Sequence, residues 1–292
     1  MSKPVEIVFE DDKPLYSLFE KTKVNIFQTA KIISWNVNGL QGILKKNKNG
    51  DKKSSSDKNV LQHLLDTEKP DIICLQEIRC SDKFKWEPED RMKWYTYENY
   101  CQSKKGYSGT LISSKIKPVN VTYGMEGYDD AEGRVITMEF SNFFLLNVYS
   151  PNSGTYRLKY RTQVFEPSLH RHVANLNKPV VLVGDLNCTF EDIDKGVSKR
   201  IPGDSVEEQL CSAKLLSQCK LVDTFRYLHP TDRIYSWFYP WDNKNGCRFD
   251  YILVSKEWMN FVVSSDILYY SSSDHLPTQI FLDFKKDMRD KI

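Results

Sequence analysis

The chain has 292 residues, of which 40% are hydrophobic and 27% are charged. This composition is typical of a globular protein and excludes a disordered or fibrous one. The net charge of +2 neither requires nor excludes a nucleic-acid partner, because a binding groove needs only a local surplus of cations. No apolar run in the sequence approaches the roughly 20 residues that a membrane helix needs, so we expect no membrane partner.

The chain begins with a polar N-terminal extension, residues 1–30, which mixes acids and lysines without the apolar stretch of a secretory signal. The seven cysteines are scattered and form no CxxC pair, which favours reduced thiols and argues against a zinc site. We therefore expect an intracellular protein, located in the nucleus if its source is eukaryotic, with the mitochondrion and the cytoplasm as alternatives.

Apolar runs predict a series of strands, which in chain order are residues 31–37, 72–75, 107–113, 119–124, 134–140, 143–149, 180–183, 235–238, 249–254, 262–270 and 278–283. Apolar residues at helical spacing predict helices at residues 60–67, 156–176, 206–219 and 222–227. Strands in the first and last thirds, with helices between them, predict one domain of two packed sheets with helices outside. We place that domain at residues 31–286, followed by a short tail at residues 287–292.

A lysine-rich segment, residues 45–58, follows the first predicted strand. It holds six lysines against two aspartates in a Ser- and Asn-rich context that cannot bury a core, so we predict a mobile basic loop. The loop could add phosphate contacts to a bound nucleic acid. An insertion without function is the favoured alternative, because low-complexity inserts are tolerated in loops.

Polar side chains occur at the ends of several predicted strands. They are Asn36, Asn38, Glu77, Tyr149, Asn152, Asp185, Asn187, Asp250, Asp274 and His275. Strand ends that meet at one edge are where α/β folds assemble sites from distant positions. Carboxylate and carboxamide oxygens suit a hard cation such as Mg²⁺ or Mn²⁺. The pattern therefore predicts metal-assisted attack of water on a phosphate ester.

Each of these residues also has a simpler explanation when it is taken singly. Those explained as turn formers are Asn36, Asn152, Asp185, Asn187, Asp274 and His275. Glu77 and Arg79 would also form an ordinary surface ion pair. Asp250 lies within an apolar strand, where an unpaired carboxylate would be costly, so this residue requires a buried partner.

Taken together, the motifs resemble the exonuclease III family of AP endonucleases, within the endonuclease/exonuclease/phosphatase superfamily. The matching segments are SWNVNGL, IICLQE, GYSGT, EGRVITMEF, NVYSPNSG, YRTQVF, VVLVGDLN, the Tyr235-Ser236-Trp237 region, RFDYILVS and SDHLP, and the resemblance covers about residues 31–284. The resemblance implies a DNase I-like α/β fold, a four-layered sandwich in which two mixed β-sheets pack face to face with helices outside. It also implies Mg²⁺-dependent hydrolysis of a DNA phosphodiester, with Mn²⁺ as a substitute ion.

The resemblance implies roles for the matching residues. The implied metal ligands are Glu77, Asn36, Asn38, Asp185, Asn187, Asp274 and His275. The implied catalytic residues are Tyr149, Asp185, Asn187, Asp250 and His275. Among them, Asp185 would activate the attacking water with Asn187 orienting it, and His275, held by Asp250, would bind the scissile phosphate. The implied substrate-binding residues are Asn152, Tyr107, Trp237, Phe249 and Arg248.

The hydrolytic core alone does not identify the substrate, because the same fold serves nucleases, phosphatases and lipid phosphodiesterases. The peripheral segments GYSGT, EGRVITMEF and YSPNSG resemble the AP endonuclease branch. They imply a monomer that cuts double-stranded DNA 5′ to an abasic site in base excision repair, with associated 3′-phosphodiesterase or 3′ to 5′ exonuclease activity. The alternatives are a less specific or retrotransposon-type DNA endonuclease, another phosphodiesterase or phosphatase of this fold, and a catalytically silent binding protein, which the complete set of polar residues disfavours.

Three positions depart from the family pattern, one of them Thr155, where some relatives carry an arginine that enters the DNA groove. Cys247 stands where that pattern has a tryptophan before Arg248, so aromatic character in the substrate pocket would come from Trp237 and Phe249. Both rings are equally explained as core residues, because aromatic side chains dominate protein cores. Asn38 stands where some relatives carry an acid, which leaves the number of metal sites open.

Overall fold

The structure is a computed structural model that describes residues 27–45, 59–81, 86, 93–154, 156–196, 203–239, 242–270 and 272–285. The predicted N-terminal extension up to residue 26, the basic loop from residue 46, Thr155 and the tail at residues 287–292 lie outside these ranges. No helix within them is long and apolar enough to cross a membrane. The predicted domain boundaries stay a prediction, although Phe27 already lies in the core and the first strand begins at Thr29.

Within the described ranges, the strands are β1 (Thr29–Asn36), β2 (Ile72–Gln76), β3 (Tyr95–Asn99), β4 (Thr110–Ser114), β5 (Asn120–Tyr123), β6 (Val135–Glu139), β7 (Phe144–Tyr149), β8 (Val180–Asp185), β9 (Leu221–Asp223), β10 (Trp237–Tyr239), β11 (Asp242–Cys247), β12 (Asp250–Ser255), β13 (Val262–Ile267) and β14 (Thr278–Asp283). The helices are α1 (Leu40–Ile43), α2 (Val60–Glu68), α3 (Leu158–Tyr160), α4 (Glu166–Ala174), α5 (Val206–Gln218) and α6 (Thr224–Leu228). A π-helical turn, Arg161–Phe165, joins α3 to α4, and 3₁₀ turns occur at Asp192–Asp194 and Lys256–Phe261.

The strands form two mixed sheets and a small ribbon. The first sheet has the order β13-β14-β1-β2-β4-β3, and the second has the order β5-β6-β7-β8-β12-β9. Each sheet has one parallel pair near its centre, β1 with β2 in the first and β7 with β8 in the second, while all other neighbours are antiparallel. Strands β10 and β11 form a separate antiparallel ribbon.

Alternation along the strands explains why the sheets pack face to face with helices outside. In β1, Ile32 lies in the core between the two sheets, while its neighbour Ile33 packs with Leu61 of α2 on the outer face. In β8, Val181 lies in the core between the sheets and Leu182 packs outward against the helices on the other side. The predicted four-layered α/β sandwich is therefore confirmed.

The two sheets are also joined by a polar bridge in the core. Gln76 of β2 donates from Nε2 to Oδ1 of Asn147 in β7 at 2.8 Å and to Oγ of Ser34 at 2.9 Å. Asn147 returns two hydrogen bonds to the first sheet, from Nδ2 to the carbonyl oxygens of Leu75 and Leu111, both at 2.9 Å. These side chains are fully buried, so each hydrogen bond offsets a desolvation cost that an unpaired amide would suffer.

Helix caps explain where two of the predicted helices begin. The side chain of Asn59 accepts a hydrogen bond from the backbone N–H of Gln62, which starts α2 at the predicted position. Ser205 and Glu208 form a capping box at the start of α5, also as predicted. The predicted long helix at residues 156–176 is instead divided, because the π-helical turn at Arg161–Phe165 separates α3 from α4.

Several predicted elements differ from the structure. The segment predicted as a helix at residues 222–227 begins as strand β9, and helix α6 starts only at Thr224, where Asp223 caps it. The strand predicted from residue 107 begins at Thr110, because Ser108 and Gly109 have positive φ angles. Strands β3 and β11 were not predicted; they lie at the edge of a sheet and in the ribbon, where the sequences are polar.

Candidate active site

The parallel strand pairs bring polar residues to a common edge of the two sheets. Asn36 ends β1, and in the second sheet Tyr149 ends β7 directly opposite Asp185 at the end of β8. The preceding residue, Gly184, has a φ of 140°, and a Cβ there would collide with the carbonyl oxygen of Val148. Only glycine permits this close approach of the strands, so it places Asp185 beside Tyr149.

Asp185, Asp250 and His275 form a buried group at this edge, here called the acid–histidine group. Nδ1 of His275 lies 2.8 Å from Oδ2 of Asp250, and Nε2 lies 3.8 Å from Oδ2 of Asp185. Asp250 and Asp185 are paired across β12 and β8. The predicted contact between His275 and Asp250 is therefore present, and it leaves Nε2 directed toward Asp185.

The charges of the acid–histidine group shift its pKa values. Burial alone would lower the pKa of His275, but the negative charges of Asp250 and Asp185 outweigh it and raise the pKa to about 10. Burial raises the pKa of Asp185 to about 7, a rise that His275 opposes and Asp250 increases. Near neutral pH, His275 is therefore an imidazolium, and Asp185 titrates in the range where a general base is most effective.

Two carboxamides hold the carboxylate of Asp185. Asn36 donates from Nδ2 to Oδ2 at 2.8 Å. Asn187 donates from its backbone N–H to Oδ1 at 2.8 Å and from Nδ2 to Oδ2 at 3.1 Å. Asn187 has a φ of 49°, in the left-handed region, and in this conformation its backbone and its side chain both contact Asp185. The structure thus brings together these three predicted residues.

Glu77 lies at the same edge, directly after β2. Its Oε1 accepts hydrogen bonds from Nε and Nη2 of Arg79, so the surface ion pair considered as an alternative exists. Burial raises the pKa of Tyr149, and the charges of Glu77 and Asp185 raise it further. The Glu77 carboxylate therefore lies within electrostatic range of the Tyr149 hydroxyl while it is paired with Arg79.

Asp274 forms the outer part of the site. Its Oδ1 accepts from Nδ2 of Asn38 at 2.9 Å, and its Oδ2 accepts from Nε1 of Trp237 at 3.2 Å. The backbone N–H of Asn38 in turn donates to Oδ1 of Asn36 at 3.0 Å. Hydrogen bonds thus connect the exposed residue Asn38 to the buried carboxamide that holds Asp185.

Tyr149 is held by Arg134, which belongs to an arginine pair that the sequence analysis missed. Arg134 donates from Nη1 to the carbonyl oxygen of Tyr149 at 2.9 Å, and its guanidinium lies 4.7 Å from the Tyr149 ring centroid. Glu132 accepts from Nε of Arg134 at 2.6 Å and from Nη2 of Arg157 at 2.8 Å. The hydroxyl of Tyr107 accepts from both arginines, at 3.3 and 3.0 Å. A cationic network therefore lies beside two predicted phosphate or substrate contacts.

The predicted pocket aromatics lie next to each other. Trp237 stacks on Phe249 with ring centroids 5.3 Å apart, and Phe249 is buried beneath it. Cys247 is fully buried opposite Trp237 in the ribbon. Trp237 is half-buried and reaches the site through Asp274, whereas Phe249 and Cys247 belong to the core beneath it. A further predicted substrate contact, Asn152, lies beside Asn187, with its Nδ2 3.4 Å from Oδ1 of Asn187.

Arg248 does not fit the predicted substrate contact. Its guanidinium has no exposed surface, and it donates to Asp194 from Nε and Nη2 and to Asp223 from Nη1 and Nη2, at 2.6 to 3.1 Å. Arg226 donates to the same Asp194 at 2.6 Å. We call these four residues the Arg248 cluster. Because all three guanidinium nitrogens donate to buried carboxylates, Arg248 has a structural role. The prediction that Arg248 binds substrate is therefore corrected.

The donor set of the site fits a hard divalent cation. The buried Oδ1 of Asp250 has no hydrogen-bond partner within the described residues. One ligand-type atom from each member of the acid–histidine group lies within 4.8 Å of the others, and the group carries more negative than positive charge. A cation held beside this group would offset the charge, and its preferred ligands are carboxylate and carboxamide oxygens, which Glu77, Asp274 and Asn36 also carry.

Comparison with known proteins identifies the family. Residues 33–275 match the family model described as Endonuclease/Exonuclease/phosphatase family. This chain belongs to that family. It is 36% identical over 274 residues to an exodeoxyribonuclease of Bacillus subtilis (strain 168), an alignment that covers 87% of this chain and 99% of the relative. It is also 36% identical over 270 residues to the DNA repair nuclease APEX1 of Danio rerio, with 86% and 82% covered.

Solved structures show the same similarity. AP endonuclease LMAP from Leishmania major superimposes with a TM-score of 0.76 at 27% identity, covering 94% of this chain and 96% of that one. The 3′ phosphatase NExo from Neisseria, bound to a product DNA hairpin, gives a TM-score of 0.74 at 28% identity, with 87% and 99% covered. The resemblance to exonuclease III-type AP endonucleases is thus confirmed, and the chain is a hydrolytic phosphodiesterase of a metal-dependent family.

Proposed function

We propose that this endonuclease/exonuclease/phosphatase family member is an AP endonuclease that uses Mg²⁺ to hydrolyse the phosphodiester 5′ to an abasic site in double-stranded DNA. The acid–histidine group carries the proposal, because it places a carboxylate able to take a proton beside a charged imidazole, within an oxygen-rich site. Similarity to proteins named DNA repair nuclease and AP endonuclease supports DNA with an abasic site as the substrate.

Asp185 is the proposed general base. Asn36 and Asn187 fix both of its oxygens, so the carboxylate has one orientation toward the attacking water. Oδ1 of Asn187 accepts only a long contact from Asn152, at 3.4 Å, and it remains available to accept a hydrogen bond from that water. Proton transfer to Asp185 generates the nucleophile, and no covalent enzyme intermediate is needed.

His275 is the proposed contact to the scissile phosphate. Its Nδ1 is engaged by Asp250, so the imidazolium presents Nε2 to a non-bridging phosphate oxygen. A positive donor fixed in a buried site stabilises the charge that develops in the transition state. Tyr149 and Asn152 would bind other phosphate oxygens, and the hydrogen bond from Arg134 to the Tyr149 carbonyl supports a fixed position for Tyr149.

Glu77, Asn36, Asn38 and Asp274 would hold the metal ion, whereas Asp185, Asn187 and His275, also predicted as ligands, have the proposed roles in proton transfer and phosphate binding given above. When bound, Mg²⁺ would neutralise phosphate charge and assist departure of the leaving oxygen.

We further propose an associated 3′ end-cleaning or 3′ to 5′ exonuclease activity, since the relatives include an exodeoxyribonuclease and a 3′ phosphatase. We also propose a monomer and an intracellular location, such as the nucleus of a eukaryote, and the seven free cysteines support the intracellular location.

The test compares two matched duplexes, one with a single tetrahydrofuran abasic analogue and one intact. We expect one nick 5′ to the analogue with Mg²⁺, no nick with EDTA, and little cutting of the intact duplex. Equal cutting of both duplexes would show a general endonuclease instead. Phosphate release from inositol polyphosphates without DNA cleavage would show a phosphatase. A Glu77→Ala variant, assayed in parallel, controls for contaminating nuclease and should be inactive.

A further inference from the structure

A buried guanidinium lies directly behind the loop that carries Asp185 and Asn187. Arg161 is 1% exposed, and it donates from Nη1 to the carbonyl oxygen of Asn187 at 2.6 Å and from Nη2 to that of Leu186. The two acceptors belong to consecutive peptide groups. One side chain therefore fixes the two peptide planes on either side of Asn187.

Two glutamates compensate the charge of Arg161. Glu166 accepts from Nε at 3.3 Å, and Oε1 of Glu208 forms an ion pair with Nη1 at 3.0 Å. Both carboxylates are buried, and Glu208 is itself held by Oγ of Ser205 at 2.8 Å in the capping box of α5. The charge of Arg161 is thus compensated by Glu166 at Nε and by Glu208 at Nη1, the nitrogen that also donates to the carbonyl oxygen of Asn187.

Arg161 also opens the π-helical turn that interrupts the helix between α3 and α4. A π-helical turn is wider than an α-helical turn, and such turns are frequent at functional sites. The backbone N–H of Arg161 bonds to the carbonyl oxygen of Arg157, whose side chain reaches Glu132 and Tyr107. One helical segment therefore supports the phosphate side of the site and the loop behind Asp185.

The loop needs such support because of its backbone conformation. Asn187 has a φ of 49°, and residues other than glycine hold this region when the surroundings enforce it. Both hydrogen bonds from Asn187 to Asp185 depend on that conformation, since one starts from the backbone N–H and the other from the side chain. Rotation of either adjoining peptide group would break them and leave the carboxylate free to turn.

We propose that Arg161 is a positioning residue for hydrolysis: it fixes the Leu186 and Asn187 peptide groups so that Asn187 holds Asp185 in the orientation that removes a proton from water. This inference rests on the proposed roles of Asp185 and Asn187 and adds a residue that touches neither substrate nor metal. We call the two hydrogen bonds from Arg161 to the carbonyl oxygens of Leu186 and Asn187 the clamp. Small displacements of a catalytic group have large effects on rate, so loss of the clamp should lower kcat.

The chain offers a matched control in Arg226. This residue is also buried, and it also donates to two backbone carbonyl oxygens, those of His229 at 2.8 Å and Asp232 at 2.9 Å, and to a carboxylate. It belongs to the Arg248 cluster and contacts no residue of the site. Arg226→Lys therefore carries a similar structural cost without a loosened catalytic loop.

The experiment compares Arg161→Lys with Arg226→Lys in the full chain, on whichever DNA substrate the unmodified protein cuts. We expect similar losses of thermal stability. For Arg161→Lys, kcat should fall about 10- to 100-fold, with KM changed less than about threefold, whereas Arg226→Lys should keep kcat. Amide hydrogen exchange of the peptide covering residues 185–189 should rise in Arg161→Lys alone. Equal kcat and equal exchange in the two variants would overturn the proposal.

Coupling to Asn187 supplies a second criterion. In a double-mutant cycle, Arg161→Lys and Asn187→Ala should be non-additive in kcat, because Arg161 acts in part through the side chain of Asn187, while the backbone N–H of residue 187 is kept in both backgrounds. Full additivity would refute that.

If Arg161→Lys does not fold, Glu208→Gln, compared with Asp223→Asn, gives the milder test: kcat should fall only in Glu208→Gln, and an unchanged kcat there would refute the clamp. Hydrogen exchange needs no activity, so failure of the clamp and failure of the proposed abasic-site function are distinguishable.

Discussion

Two buried ionic groups occupy neighbouring positions on either side of Phe249, and they differ in how their charges are compensated. In the Arg248 cluster, two carboxylates face two guanidinium groups, and each guanidinium nitrogen of Arg248 donates to Asp194 or Asp223. In the acid–histidine group, two carboxylates share one imidazole, so the carboxylates outnumber the cationic groups.

This difference separates a structural network from a reactive one. A balanced and hydrogen-bonded ionic group holds the polypeptide in one arrangement and does little chemistry. An unbalanced group keeps a capacity to bind cations or to exchange protons, and its pKa values are displaced, as those of Asp185 and His275 are. Four variants test this distinction.

Arg248→Met should lower the free energy of unfolding by about 3–5 kcal/mol, because it leaves two buried carboxylates without their main partner. Urea denaturation measures the loss. At low temperature, where the variant remains folded, KM and kcat should match those of the unmodified protein. A raised KM with undiminished stability would instead mean that Arg248 contacts substrate.

His275→Gln should reduce kcat by about 10²- to 10³-fold, because a neutral amide cannot replace a positive donor at the phosphate. Steady-state cleavage of the abasic-analogue duplex gives the number, and circular dichroism verifies that the variant is folded. Retention of full activity would remove His275 from the mechanism and with it the assignment of the acid–histidine group.

Asp250→Asn should move the pH profile of kcat/KM toward lower pH. Activity needs Asp185 ionised and His275 protonated, so the unmodified profile should rise through pH about 7 and fall above pH about 10. The charge of Asp250 raises both pKa values, and without it both limbs should shift down by about one pH unit, a tenfold effect on the alkaline side. An alkaline limb that does not move would contradict the pairing of Asp250 with His275.

Trp237→Phe should have the smallest effect. The substitution removes the hydrogen bond from Nε1 to Asp274 at 3.2 Å and keeps a ring stacked on Phe249. One such bond contributes about 1 kcal/mol, or about a fivefold increase in KM for the abasic-analogue duplex. Trp258→Phe, in the core between the sheets, is the control and should change stability without changing KM.

The fold was largely predictable where burial imposes a simple pattern. Strands such as β8 are apolar on both faces because one face meets the other sheet and the other meets helices, and an uninterrupted apolar run reveals them. The edge strand β3 and the ribbon strand β11 are polar and depend on their partners, so their sequences give little signal. Strand β9 was mistaken for helix because one apolar segment serves both β9 and α6.

The site was predictable to the extent that a polar residue interrupts or ends an apolar run, as Asp250 and Asp185 do. The burial of the arginines was not predictable, because Arg161 and Arg248 resemble surface residues until their acidic partners, distant in sequence, are located. An arginine next to an apolar strand, such as Arg134 before β6, was the available signal, since an unpaired guanidinium there would be costly. The partner itself requires the tertiary structure.

The polar bridge between Gln76 and Asn147 has a mechanical consequence. Asn36 ends a strand of the first sheet and Glu77 directly follows another, whereas Asp185 ends a strand of the second sheet. Sliding of one sheet over the other would therefore separate these site residues. Aliphatic side chains resist such sliding weakly because their contacts are non-directional, whereas amide hydrogen bonds have fixed geometry. The bridge therefore keeps the two sheets, and with them the two halves of the site, in a fixed alignment.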